Sequence, residues 1–110
     1  MNSPLQITLR DVARSEVLER RIREQAAKLE RLFADIVGCR VDINHLPGAH
    51  GLGTFAVRVD LYLPGEEIST LGTNADVQAA VREAFGHAAR HLQSYAQRLR
   101  GHQRSRAGTA

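Results

Sequence analysis

The segment VREAFGHAARHLQSYAQRLRGHQRSR, Val81 to Arg106, concentrates side chains that could do chemistry. It carries Arg82, Arg90, Arg98, Arg100, Arg104 and Arg106 against one acid, Glu83, and it also holds His87, His91 and His102. Two chemistries suit such residues. Arginine forks bind phosphate oxygens, and each contact adds salt-dependent affinity for nucleic acid. Histidines four apart on a helix can share a metal ion. The metal reading is poor, because no Glu follows His87 to make the zinc-binding arrangement. His87 and His91 read as half-exposed helix residues, and no metal is expected.

Other stretches that could carry a reaction fail on spacing. PGAHGLG (Pro47–Gly53) is glycine-rich, but no Gly-Lys-Ser/Thr follows it and a strand comes next, whereas a phosphate cradle needs a helix N-terminus behind it. Glu66 and Glu67 are neighbours in a turn and face apart. No Ser–His–Asp or Cys–His arrangement can be drawn, and the lone Cys39, among Ile36, Val37 and Val41, reads as a buried packing thiol in a reducing compartment. No catalytic residue, cofactor or small-molecule substrate is expected. Nor is a membrane segment, because no run of about 18 apolar residues exists. The N-terminus has no apolar stretch after a basic start, so the expectation is a cytoplasmic protein.

Charge is the remaining signal. Residues 1–71 carry nine Lys/Arg against ten Asp/Glu, whereas residues 72–110 carry six Arg against two acids. That asymmetry points to a polyanionic partner for the C-terminal part.

The elements that must position these charges follow from apolar periodicity. Pro4–Arg10 alternates as a half-buried strand. Ser15 is a suitable N-cap, and Leu18, Ile22, Ala26, Leu29, Leu32, Phe33 and Ile36 recur at three and four residues, predicting an amphipathic helix from Glu16 to about Ile36 that Gly38 ends. Cys39–Leu46 and Thr54–Leu63 alternate as strands, with a flexible connection between them. Pro64–Glu67 is a turn, EISTL a short fourth strand, and Gly72, Thr73 and Asn74 break it and cap a second helix from about Ala75. Val77, Val81, Ala84, Phe85, Ala88, Leu92, Tyr95 and Leu99 give that helix its buried stripe. The expected class is α+β: a β-α-β-β-β-α order, a four-stranded mixed sheet and two helices packed on one face. Residues 1–100 form one domain, and 101–110 are expected to be a disordered basic tail.

On the first helix Arg20, Arg21, Arg23, Lys28 and Arg31 interleave with Glu16, Glu19, Glu24, Glu30 and Asp35. The pairs Glu19–Arg23 and Glu24–Lys28 stand at i, i+4, which predicts a self-neutralised solvent face. On the second helix Arg82, Arg90 and Arg100 take the outer face, with Arg98 at one edge and Glu83 as the sole opposing charge. Charge alone leaves open a nucleic-acid surface and a merely solvated one.

Two stretches then carry a resemblance. KLERLFADI (Lys28–Ile36) and LYLPGEEISTLGTNADVQAAV (Leu61–Val81), with ARHL (Ala89–Leu92), resemble, in order, the ribosome hibernation-promoting factor / ribosome-associated inhibitor family, also called sigma-54 modulation proteins. The resemblance spans about residues 4–100. It implies a fold similar to a double-stranded RNA-binding domain. It also implies binding to the small ribosomal subunit and its ribosomal RNA, blocking the mRNA and tRNA channel in starvation or stationary phase. Position by position, Lys28, Arg90, Arg98 and Arg100 match basic family positions, and His87 stands where Lys is common, which implies a pH-dependent contact. Glu19 and Gln25 replace basic positions, with Arg20 and Arg23 nearby. Ser94, Tyr95 and Ala96 replace a lysine-rich stretch, and Gln78 stands where Tyr is frequent. With no extra C-terminal domain expected and a basic tail, the resemblance is to the short type that favours ribosome dimers. The expected RNA contacts are thus Arg20, Arg23, Lys28, Arg82, His87, Arg90, Arg98 and Arg100. The alternative is a divergent member that self-associates or binds a protein.

Overall fold

The computed structural model describes residues 4–48 and 53–108, with side chains as far as Gly101. Its elements are β1 (Leu5–Arg10), α1 (Glu16–Leu32), β2 (Gly38–Leu46), β3 (Thr54–Leu63), β4 (Glu66–Asn74) and α2 (Val77–Gly108). The sheet order is β1-β2-β3-β4, with β1 parallel to β2 and the other pairs antiparallel. This is the expected α+β class and element order. The β2–β3 connection lies partly outside the described residues.

Alternation decides which side of each strand is buried. Val41 and Ile43 of β2, Val57, Val59, Leu61 and Leu63 of β3 and Ile68 of β4 face the helices. Leu18, Ile22, Ala26 and Leu29 of α1 and Ala80, Val81, Ala84, Phe85, Ala88 and Leu92 of α2 close the same core. Both helices therefore cover one face. The opposite face is bare, which antiparallel sheets tolerate when that side is polar.

Three boundaries differ from the sequence expectation. α1 stops at Leu32, where the Phe33 N–H donates to the Leu29 carbonyl at 3.0 Å and Phe33 turns extended at φ −150°. Phe33 and Ile36 continue the three-and-four spacing, but they reach the core from non-helical backbone. β4 is not a short strand broken at Gly72; it runs from Glu66 through Gly72 to Asn74. The turn is only Pro64–Gly65, and Gly65 takes the φ of +76° that a type II turn asks of the residue after proline. Gly72 is glycine because the α2 backbone at Ala80 and Ala84 lies against it. Finally, α2 starts at Val77, not near Ala75, and its helical backbone runs to Gly108. Helical hydrogen bonds are local, so the backbone can extend beyond the last residue that packs.

Candidate nucleic-acid interface

α1 and α2 run side by side in one direction. α1 returns antiparallel to β1, while Gly72 faces Ala80 and Ala84 and Glu66 reaches Arg98, so α2 descends β4. At the far end Phe33 meets Tyr95 edge-on, with ring centroids 5.2 Å apart at 75°. Tyr95 is buried at 8 % exposure, so it is a core residue and not a surface position where a lysine is missing. Only Ser94 and Ala96 of that trio reach the surface.

The start of α2 is held by Asp76, not by Gly72–Asn74. The Gln78 N–H donates to Asp76 Oδ1 at 3.1 Å, and the Asp76 N–H donates to Asn74 Oδ1 at 3.0 Å. Asn74 Nδ2 in turn donates to Glu83 Oε2 at 2.9 Å. The one acid among the α2 arginines is thus drawn back to the end of β4.

Arg82, Arg90, Arg98 and Arg100 are exposed on α2, and Arg20, Arg23 and Lys28 are exposed on α1. The structure sorts these residues into groups. Arg82 and Arg100 are five turns apart and share one line of α2. Arg100 borders the groove beside the end of α1, with Leu32, Phe33, Gln93 and Gln97. Lys28 falls on the Leu32 side of α1, toward that groove. On the other flank, His87, Arg90, His91 and Ser94 line a shallow depression. Arg98 belongs to that flank, its Nη2 lying 3.3 Å from Glu66 Oε1. Arg23 does not join either group; with Arg14 and Glu19 it borders Leu5 and Ile7 of β1.

His87 is not a free contact. Its Nδ1 lies 3.0 Å from the Leu71 carbonyl oxygen, so that nitrogen holds the proton and donates to edge strand β4. Only Nε2 is left to meet a partner. Among the described residues no three His, Cys, Asp or Glu come together to hold a metal.

The self-neutralised face expected of α1 is only partly realised. Asp35 lies beyond the end of the helix, and Glu19 pairs with Arg14 at 3.2 Å, not with Arg23. Among the described residues neither Lys28 nor Arg23 forms an ion pair. Arg21, half-buried, is a cation of α1 that was not among the expected RNA contacts. It shares the Lys28–Leu32 side of α1, a placement readable from its spacing of eleven to Leu32.

The sequence matches the family model described as sigma 54 modulation protein / S30EA ribosomal protein over residues 5–100. No curated protein matches it. The fold is similar to a ribosomal subunit interface protein from Coxiella burnetii, with TM-score 0.74 and 17% identity over 86% of this chain and 98% of that chain. It is also similar to the N-terminal domain of Protein Y from Thermus thermophilus, with TM-score 0.69 and 18% identity over 86% of this chain and 99% of that one.

Proposed function

Because this chain belongs to the sigma 54 modulation protein / S30EA ribosomal protein family, a family of ribosome-associated proteins, we propose that it binds the small ribosomal subunit and inhibits translation. The outer faces of α1 and α2 lie on ribosomal RNA and obstruct the mRNA and tRNA channel under stress or in stationary phase. The role is one of binding, without catalysis, and its place is the cytoplasm. No helix among the described residues is long and apolar enough to cross a membrane.

One observation carries this reading. Arg82, Arg90 and Arg100 are exposed on α2 and have no ion-pair partner among the described residues, while Glu83 is held by Asn74. Free guanidinium groups on the exposed side of one helix are what a phosphate backbone engages. The opposite sheet face offers no such excess, since its Arg10, Arg40 and Arg58 are balanced by Asp42, Asp60 and Glu67.

Co-sedimentation with ribosomes at rising salt tests the proposal. With five phosphate contacts at about −0.7 each, log affinity falls by about 2 for a fourfold rise in salt. Arg90→Glu combined with Arg98→Glu weakens binding on the order of tenfold or more, and Arg10→Glu on the bare face leaves it unchanged. Absence of binding at low salt removes the proposal.

A further inference from the structure

On the sheet face turned away from the helices, four central charges stand in a fixed alternation, with Arg10 and Glu67 toward its two edges. Arg40 and Asp42 stand on β2, and their register partners on β3 are Asp60 and Arg58 respectively. Each strand holds its own pair: Arg58 Nε lies 3.0 Å from Asp60 Oδ1, and Arg40 Nε lies 3.4 Å from Asp42 Oδ2. The signs therefore alternate both along the strands and across them, as on a checkerboard. Asp60 is buried, and its Oδ1 also accepts from Ser69 Oγ at 2.7 Å. Asp42 differs: its Oδ1 is shielded from solvent yet accepts no hydrogen bond among the described residues. A carboxylate oxygen in that position lacks a donor that a buried acceptor normally has.

A checkerboard of charges is self-complementary. A two-fold axis lying in the plane of contact, directed along the strands, sets Arg40 over Asp60 and Asp42 over Arg58 of the second copy. An axis directed across the strands sets Arg40 over Asp42 and Arg58 over Asp60. In both arrangements each of these four charges meets one of opposite sign. The guanidinium groups have donors to spare, since the Arg40 and Arg58 side chains remain 43% and 57% exposed and use Nε internally. Leu71, which is 56% exposed, and half-buried Tyr62 add apolar area on the same face.

We propose that this chain self-associates face to face through the bare surface of β2 and β3, a second copy of the chain being the occupant. Two sheets so packed keep their strands within about 30° of alignment. Four strands at about 4.8 Å give a face about 19 Å wide. With about 25 Å of strand length that is roughly 500 Å² per copy, at the low end of specific interfaces. The dimer is accordingly concentration-dependent, not obligate. It leaves α1 and α2 on its two outer sides, so it does not compete with RNA for their arginines.

Sedimentation velocity of the intact chain tests this from about 10 μM to about 1 mM, concentrations suited to a weak, transient interface. The dimer fraction rises with concentration and falls with salt. Arg58→Glu, Arg40→Glu and Asp42→Arg each weaken self-association at least tenfold. An equal mixture of Arg58→Glu with Asp42→Arg restores the dimer if the axis follows the strands; a mixture of Arg40→Glu with Asp42→Arg restores it if the axis crosses them. Amide shifts of the unmodified chain, which need no variant to fold, move with concentration at Arg40, Asp42, Arg58 and Asp60. A monomer at every concentration, failure of both mixtures to restore assembly by folded variants, or shifts that move on α1 and α2 instead overturns the proposal.

Discussion

Thr70 and Ala84 are joined across the buried seam between β4 and α2, the Thr70 hydroxyl donating to the Ala84 carbonyl oxygen at 2.9 Å. A strand and a helix come this close because Gly72, two residues along β4, has no side chain. A Cβ there would lie 2.6 Å from the Ala84 nitrogen and would also meet the Ala80 carbonyl oxygen, both of them helix backbone.

Gly72→Ala therefore has to push α2 off the sheet, because no flexible side chain is present to give way. Overpacking of this kind costs about 1–3 kcal/mol, and stretching the Thr70–Ala84 bond adds about 1 kcal/mol. Urea unfolding measures it as a lowered midpoint at unchanged slope. A variant as stable as the parent would refute the close approach.

Gly72 also marks where sequence reading fails. A glycine after EISTL looks like a strand end, because local pattern cannot tell a break from a close approach. The element order was legible because Val57, Val59, Leu61 and Leu63 alternate cleanly and the α2 stripe holds its period from Val77 to Tyr95. The end of α1 was not, since Phe33 and Ile36 keep helical spacing while packing from extended backbone. At the candidate site the cations themselves were legible, but their grouping was not. Which flank of α2 borders β4 depends on tertiary placement, and so does the Arg98–Glu66 pair, which spans 32 residues of sequence.

Cys39 provides a test of burial by pH. Desolvation, with the nearby charges of Glu30 and Asp60, pushes its thiol up to about 12 from an ordinary 9.0. The folded pKa is raised, so this contribution is complete below about pH 9 and is lost as pH rises toward 12. In that window the unfolded chain ionises its thiol and the folded chain does not, at about 1.4 kcal/mol per pH unit. Unfolding free energies of parent and Cys39→Ala, compared from pH 8 to 11, should run parallel to about pH 9 and then diverge, the parent losing more. A thiol reagent at pH 8 should label Cys39 only as fast as the protein unfolds.

Glu66 restrains one of the candidate RNA contacts. Its pair with Arg98 at 3.3 Å joins side chains that are 35% and 67% exposed, a setting in which an ion pair contributes about 0–1 kcal/mol. Glu66→Gln leaves stability within about 0.5 kcal/mol and frees the Arg98 guanidinium. Ribosome affinity should then rise by a few-fold at most, about what 0.5 kcal/mol provides. An unchanged affinity would mean that Arg98 does not touch RNA, and a large loss of stability would mean that the pair is more than a surface contact.

The two flanks of α2 can be separated by salt dependence. A cation that touches phosphate displaces counterions, so removing it lowers the slope of log affinity against log salt by about 0.7–1 and weakens binding to all sequences alike. Arg100→Ala probes the groove beside α1, Arg82→Ala probes the same line of α2 five turns earlier, and Arg90→Ala probes the depression beside β4. If RNA lies across both helices, all three variants lower the slope. If RNA follows only the groove, Arg90→Ala keeps the parent slope while the other two lose it. Arg10→Ala, on the bare sheet face, keeps the parent slope in either case, because that face is electrically balanced. A drop for Arg10→Ala equal to that for Arg82→Ala would place the RNA on the wrong side of the sheet for the function proposed.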